Sequence, residues 1–288
     1  MKNPFQDLVE RYQSLLDEAR SVAPGEFLPP NRPPPPAGRP NVLMFSPHPD
    51  DECIIGGLPL RLLREAQMNV INAAVTLGSQ EDRRQRRWEE LQTACRCLGF
   101  QALTLQDGGL ENITRKSHRE QPQSWGRAVE LAANQLRALQ PRIIFLPHSR
   151  DRNKTHMGTH DLVIEAIRNV GNDLAGSYVV ETEYWSTMDR PNLLVETSEQ
   201  DVEDLLFALA CHVGEVQRNP HYLTLPAWMQ DNVRRGAEIV GGQGAAAPGF
   251  DFGTLYRVLV WNGRRMKNAY PGGKILSCGE LPRCLFPQ

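Results

Sequence analysis

The chain lacks a hydrophobic run long enough to cross a bilayer, and it lacks a strong excess of charge. No apolar segment approaches the ~20 residues that a membrane-spanning helix needs, so integral membrane association is not expected. A formal net charge of -2 over 288 residues gives no electrostatic reason to expect nucleic acid as a partner. The N-terminal segment is amphipathic and acidic, unlike a signal peptide, so a cytoplasmic location is expected.

Several signatures of other chemistries are also missing. The chain has six cysteines, but they form no CxxC pair and no zinc-finger spacing. An even number leaves disulfides possible, although reduced thiols are expected without an export signal. The glycine-rich segment 241–253 contains no GxGxxG between a strand and a helix, which argues against a dinucleotide site. Ser46 and Ser149 lack the GxSxG elbow of serine hydrolases.

The N-terminal part of the chain has its own pattern. Residues 4–20 predict an amphipathic helix, whereas 24–40 contain too much proline for a helix. This proline-rich arm is predicted to be extended, either packed on its own domain or lying across a neighbouring subunit. We therefore divide the chain into a helix and arm, 1–40, and a single domain, 41–288. The arm is one reason to expect a homo-oligomer.

From residue 41 onward, short apolar segments alternate with amphipathic ones. Strands are predicted at 41–45, 69–77, 101–105, 142–146, 178–185 and 254–261. Helices are predicted at 57–67, 82–98, 124–139, 159–170, 199–217 and 226–240. This order is typical of an α/β, Rossmann-like fold, a mostly parallel sheet with helices on both faces, here with a smaller C-terminal portion. In such sheets ligands bind at the carboxyl ends of the strands.

The stretch FSPHPDDECIIGG, residues 45–57, places a histidine and three acids directly after the first strand. His48 and Asp51 are three residues apart in a turn that Pro49 stiffens, so they can direct an imidazole and a carboxylate at one point. Zinc binds such ligands at roughly 2 Å, and a catalytic site needs three of them plus an open position for water. The alternative is a solvated turn whose acids favour the start of a helix.

A second group of histidines follows the predicted strand at 142–146. His148, His156 and His160 lie close together in PHSRDRNKTHMGTHDLV, where they could supply the third ligand. His160 lies at the start of a predicted helix, which is a fixed platform for a ligand. Asp50 is then left as a carboxylate that can accept a proton from attacking water and pass it to the leaving group.

With both motifs in view, the chain resembles the PIG-L/LmbE-like family of metal-dependent N-deacetylases. SPHPDDECIIGG, residues 46–57, is similar to the family's first motif, and the likeness covers roughly residues 41–170. The family includes deacetylases of N-acetylglucosaminyl-phosphatidylinositol, of mycothiol and bacillithiol precursors, and of diacetylchitobiose. The resemblance implies Zn²⁺ or another divalent transition metal, a small-molecule amino-sugar substrate, and assembly into oligomers.

Carried over residue by residue, the resemblance makes His48, Asp51 and His160 the metal ligands and Asp50 the general base. The family places an oxyanion-stabilising histidine three residues before the third ligand, where this chain has no histidine. His156, four residues before His160, is expected to take that role. The alternative is that His156 is a hydrogen-bonded loop histidine.

Three further positions resemble family residues near the sugar. Arg87 resembles an arginine that binds sugar hydroxyls, but the arginine-rich segment around it is also consistent with a solvated helix face. Asp107 resembles an aspartate that contacts the sugar, or it forms an Asp-Gly turn. His212 resembles a histidine near the pocket, or it is a buried helix histidine. Glu52 is expected to hydrogen-bond the backbone or a ligand of the site.

The function expected from these residues is removal of the N-acetyl group from an N-acetylglucosamine-type sugar or its conjugate. A metal-bound water would attack the amide carbonyl, with Asp50 as general base. Two alternatives remain open. One is a metal-dependent hydrolase of another amide or sugar conjugate, and the other is a metal-stabilised sugar-binding protein without turnover.

Overall fold

The computed structural model describes residues 3–22, 28, 30–33, 35–36 and 38–287. The strands in these residues are β1 (Asn41–Ser46), β2 (Asn69–Ala74), β3 (Gln101–Thr104), β4 (Ile143–Pro147), β5 (Tyr178–Thr182), β6 (Leu193–Glu196), β7 (Gly253–Trp261), β8 (Met266–Asn268) and β9 (Lys274–Leu276). The helices are α1 (Gln6–Arg20), α2 (Asp51–Ile54), α3 (Gly57–Arg64), α4 (Glu81–Leu98), α5 (Arg115–Glu120), α6 (Pro122–Leu139), α7 (Lys154–Val170), α8 (Glu199–Ala210), α9 (Val213–Arg218) and α10 (His221–Gly241).

All the strands of the described residues join one sheet, in the order β3-β2-β1-β4-β5-β7-β6-β9, with β8 paired to β7. The first five strands in this order are parallel, whereas β7 runs antiparallel to β5, β6 and β8. The expected α/β fold with a mostly parallel sheet is confirmed. The antiparallel strand β7 and the strands β6, β8 and β9 beyond β5 come from the C-terminal part of the chain, and β9 pairs parallel with β6 at the edge.

Successive side chains of β1 pack in two separate hydrophobic cores, because side chains alternate between the two faces of a strand. Val42 and Met44 pack in the core covered by α3, α4, α8 and α10, while Leu43 and Phe45 pack in the core under α6 and α7. Since both faces of the strand are covered by helices, its sequence is continuously apolar.

The chain changes direction in the sheet between β1 and β4. From β1 it proceeds through β2 to β3 on one side, and β4 then starts the other side, next to β1. Such a reversal of strand order opens a crevice at the carboxyl ends of the two strands, where α/β proteins bind ligands. The motif at 45–57 follows β1 and the histidine cluster follows β4, so both meet at this crevice.

The elements differ from the sequence-based expectation in several places: the short helices α2 and α5 are additional, and α10 starts at His221 rather than at 226. The helix expected at 159–170 starts at Lys154, because Asn153 caps it by accepting hydrogen bonds from two backbone N–H groups. The helix expected at 199–217 is two helices, with His212 between them. The short strands β6, β8 and β9 were not expected.

The predicted arm at 24–40 lies partly outside the described residues. Within the described part, Arg32 donates hydrogen bonds to the carbonyl of Cys97 and to Asp204, so this portion packs on its own chain. The apolar stripe of α1 is exposed, and no α1 residue is buried. None of the helices in the described residues is long and apolar enough to cross a lipid bilayer.

Gly158 of α7 offers a test of how closely this helix packs beside the crevice. A Cβ at this position would lie 2.2 Å from the carbonyl oxygen of Ile113, whereas at Gly126 of α6 it would meet nothing within 4 Å. Gly158→Ala should destabilise the protein by ~1–3 kcal/mol through overpacking. Gly126→Ala should instead stabilise it by up to ~1 kcal/mol through helix propensity. Urea unfolding of both variants measures the difference, and equal midpoints would contradict the close packing.

Candidate metal centre and active-site cavity

Three side chains converge at the crevice between β1 and β4. His48 lies in the turn after β1, Asp51 is the first residue of α2, and His156 lies in the first turn of α7. His48 Nδ1 and His156 Nε2 are 3.2 Å apart, and each lies 3.4 Å from Asp51 Oδ2. These three atoms therefore form a nearly equilateral triangle, which we call the ligand triangle.

The ligand triangle fits a tetrahedral divalent cation. Ligands at 2.0–2.2 Å from zinc in tetrahedral geometry are about 3.3–3.6 Å from one another, which the observed edges match closely. Burial raises the pKa of Asp51, but His156 and His48 outweigh it, so the pKa lies below its ordinary value. Burial lowers the pKa of His156. A carboxylate with a low pKa and a neutral imidazole are the forms that bind a metal.

Asp151 and Tyr184 flank the imidazole of His156, and the Tyr184 ring meets it edge-to-face at 4.8 Å between centroids. His156 is fully buried, and its Nδ1 has no hydrogen-bond partner within the described part of the chain. The nearest acid is Asp151, whose Oδ1 lies 3.6 Å away and which accepts a hydrogen bond from the backbone N–H of Trp185. A carboxylate on this side favours a proton on Nδ1 and leaves Nε2 as the donor atom for a metal.

His160 does not reach the ligand triangle, contrary to the sequence-based assignment. Its Nδ1 lies 2.9 Å from Asp161 and its Nε2 lies 3.3 Å from Glu181. His160 is four residues beyond His156 on α7, which is about 6 Å along the helix axis. His156, which was expected to stabilise the oxyanion, occupies the third corner instead.

Asp50 lies beside the ligand triangle and lines the same cavity as His48 and Asp51. Its carboxylate faces the guanidinium of Arg87 at 3.7 Å. Burial raises the pKa of Asp50 well above its ordinary value, the neighbouring Asp51 charge raises it further, and Arg87 opposes the shift. A carboxylate with a raised pKa is a better proton acceptor than an exposed one.

Glu52 and His212 lie behind the cavity rather than in it. His212 Nε2 is 2.6 Å from Glu52 Oε1, and both residues are buried. The other carboxylate oxygen of Glu52 accepts a hydrogen bond from the backbone N–H of Asp50 at 3.0 Å. The expected hydrogen bond between Glu52 and the backbone of the site is present, whereas His212 contacts Glu52 and is not among the residues that line the cavity.

The cavity has a volume of about 720 Å³, which is within the range of small-molecule sites. Arg87 lines it and donates a hydrogen bond to the carbonyl of Pro49. Asp107 does not line it and is exposed in the turn after β3, where the next two residues are glycines with positive φ. That geometry matches the Asp-Gly turn alternative.

Sequence reasoning missed several residues at the cavity. Trp185 lines it with about half of its side chain exposed, and its ring contacts His221 at 5.4 Å between centroids. Glu215 lines it as well and lies 3.8 Å from Arg87. Asn153 also lines the cavity. Of these, only Asn153 had a local signal, because an asparagine before an amphipathic segment is typical of a helix N-cap.

One protein family has a profile that matches part of the chain. Residues 43–167 match the profile of the family described as PIG-L, GlcNAc-PI de-N-acetylase. The resemblance to the PIG-L family is confirmed. The matched segment contains the whole ligand triangle and Asp50. No curated protein sequence matches the chain.

Solved structures share the fold at low sequence identity. N,N'-diacetylchitobiose deacetylase from Pyrococcus horikoshii is 19% identical with a TM-score of 0.55, over 90% of this chain and 93% of that chain. The A40926 pseudoaglycone deacetylase Dbv21 is 17% identical with a TM-score of 0.56, over 78% and 99%. GalB, the 4-carboxy-2-hydroxymuconate hydratase from Pseudomonas putida KT2440, is 16% identical with a TM-score of 0.56, over 76% and 95%.

At these identities the structural likeness establishes the fold alone. The same fold carries two deacetylases and a hydratase, so the reaction has to be argued from the site. The match to the PIG-L family supports a deacetylase-type enzyme. The choice of metal, mechanism and substrate rests on the residues of this chain.

Replacing each of the two α7 histidines separates the possible ligand sets. We expect His156→Gln to weaken zinc binding at least ~100-fold, because even residues behind a metal ligand contribute 10–100-fold. His160→Gln should bind zinc within a few-fold of the original protein. Competition with a chelator of known affinity, followed by metal analysis, measures both. Loss of zinc in the His160 variant alone would contradict the ligand triangle.

His160 should also make stability depend on pH. Burial lowers its pKa, but the hydrogen bonds to Asp161 and Glu181 outweigh burial and raise the pKa above its ordinary value. Protonated His160 therefore stabilises the fold fully below the unfolded pKa of about 6.5, and this contribution is lost as pH rises through the folded-state pKa. His160→Gln should lower the free energy of unfolding more at about pH 5.5 than at about pH 8.5. Urea unfolding at both values measures this, and equal losses would contradict it.

Proposed function

We propose that this protein is a divalent-metal-dependent N-deacetylase that releases acetate from an N-acetylglucosamine-type sugar or its conjugate. The observation that carries the proposal is the ligand triangle with a fourth group, Asp50, beside it at the same cavity. A binding site needs only the triangle. An additional buried carboxylate beside the triangle is a group that hydrolysis requires and metal binding does not.

In this proposal His48, Asp51 and His156 hold the metal. When bound, a divalent ion supplies a Lewis acid for the amide carbonyl and lowers the pKa of water. Zn²⁺ suits two imidazoles and a carboxylate, and other divalent transition metals accept the same ligands. Asp50 takes the proton from the attacking water and then passes it to the leaving nitrogen, so that acetate and a free amine are formed.

The cavity walls indicate how an amino sugar would be held. Trp185 presents an exposed aromatic face on which the apolar face of a sugar ring can pack. Arg87 also lines the cavity, 3.7 Å from Asp50 and 3.8 Å from Glu215, and can donate to sugar hydroxyl groups. The volume of about 720 Å³ leaves room for a group attached to the sugar.

The two alternatives predict different assay results. A hydrolase of another amide would leave N-acetylglucosamine and its glycosides intact but release acid from other acyl amides. A sugar-binding protein without turnover would bind metal and sugar and release no acetate at all. Assembly into a homo-oligomer and a cytoplasmic location stay predictions.

Asp50→Asn tests the proposed base. The amide keeps the size of the side chain but cannot accept the proton, so turnover should fall at least ~100-fold. Zinc content should stay unchanged, because Asp50 is not part of the ligand triangle. Acetate release and metal analysis measure the two effects, with Asp173→Asn, an exposed substitution of the same kind, as the control. Full activity in Asp50→Asn would remove the base from the proposal.

A further inference from the structure

The amide of Asn153 is held in one orientation by the helix that it caps. Its Oδ1 accepts hydrogen bonds from the backbone N–H groups of Thr155 at 2.8 Å and His156 at 3.4 Å. The backbone N–H of Asn153 itself donates to Asp151 at 2.8 Å. Because two donors fix which end is the oxygen, the position of the amide nitrogen follows from the hydrogen bonds.

The other end of this amide faces no acceptor. Among the residues that the structure describes, none accepts a hydrogen bond from Asn153 Nδ2. Asn153 is half-buried and lines the cavity together with His48, Asp50 and Asp51. Two N–H groups are therefore held at the wall of the cavity, three residues before His156.

The proposed reaction calls for a hydrogen-bond donor beside the carbonyl of the substrate. Attack on an amide carbonyl places negative charge on its oxygen, and a fixed donor that meets this charge lowers the barrier. His156 was expected to fill this role, but its Nε2 is a corner of the ligand triangle. The guanidinium of Arg87 faces Asp50 and Glu215 instead.

We propose that Asn153 Nδ2 donates a hydrogen bond to the oxyanion of the tetrahedral intermediate, which makes Asn153 a catalytic residue. The inference rests on the proposed deacetylase function. The N-cap preorganises this donor, because the hydrogen bonds that Asn153 accepts at the start of α7 also prevent its side-chain amide from rotating. A side chain that needs no reorganisation during the reaction stabilises the developing charge most effectively.

Asn153→Ser and Asn153→Asp separate capping from catalysis. Both side chains are good N-caps, so the urea midpoint and the zinc content should stay close to those of the original protein. Both remove the amide donor, so kcat for acetate release should fall ~100–1000-fold. Asn153→Ala removes the cap as well and should also lower the urea midpoint. Asn169→Ser, an exposed change at the other end of α7, is the matched control.

Ligand affinity gives a readout that a packing role would not produce. The methylphosphonamide of glucosamine imitates the tetrahedral intermediate, whereas glucosamine is the product without the oxyanion. Calorimetry should show ~100-fold weaker binding of the phosphonamide to Asn153→Ser and unchanged binding of glucosamine, because only the intermediate carries the charge.

Three results would overturn the inference. In the first, Asn153→Ser keeps kcat within about threefold while the original protein is active, which leaves the proposed function intact. In the second, the variant loses affinity for both ligands equally, which indicates a packing role. In the third, the original protein releases no acetate from N-acetylglucosamine glycosides, and the proposed function fails together with the inference.

Discussion

Three consecutive carboxylates are buried where β1 ends, and the site depends on how each one is compensated. Asp50, Asp51 and Glu52 are all less than a tenth exposed, and a buried charge without a partner costs several kcal/mol. Asp51 lies between two imidazoles, and Glu52 pairs with His212 at 2.6 Å. Asp50 faces Arg87 at the longer distance of 3.7 Å. Asp50 therefore has the most distant partner of the three, and unlike Asp51 it is not part of the ligand triangle.

The compensating groups come from distant parts of the chain. His156 arrives on α7 after β4, Arg87 arrives on α4 after β2, and His212 arrives from the junction of α8 and α9. The sheet order brings the first two to β1, since β2 and β4 are its two neighbours. The motif at 45–57 is therefore not a self-contained metal loop. It acquires its chemistry only when the parallel half of the sheet and the helices of the second half are assembled around it.

The sequence was informative where the physics is local and repetitive. Buried strands such as β1 are continuously apolar, and the parallel α/β fold follows from their alternation with amphipathic helices. The sequence placed the start of α7 at 159 rather than at Lys154, which put His160 on the helix platform and His156 in a loop before it. In the structure both histidines lie on α7, and it is His156 that joins His48 and Asp51. The capping asparagine, Asn153, carried the missing signal, but a single N-cap is weaker than a run of apolar residues.

Other parts of the site have no local signature. His212 was expected inside one helix, and its place between α8 and α9 depends on the buried pairing with Glu52, which lies 160 residues earlier. Trp185 follows β5, but nothing in its immediate sequence shows that it faces the crevice. The short strands β8 and β9 have three residues each, too few for a hydrophobic period. In all of these the position is set by tertiary contacts rather than by local propensity.

The backbone of Asp50 explains how neighbouring carboxylates serve different purposes. Its φ of 109° and ψ of -30° are unfavourable for a side chain other than glycine, at ~1–3 kcal/mol. The strain is held by two hydrogen bonds, from Asp50 N–H to Glu52 and from Cys53 N–H to the Asp50 carbonyl, both at 3.0 Å. Glycine would adopt this conformation without strain, but it would provide no carboxylate. The unfavourable conformation lets the Asp50 side chain face the cavity while the Asp51 side chain faces the imidazoles. The buried Glu52–His212 pair stabilises this conformation through the hydrogen bond that Glu52 accepts from the Asp50 N–H.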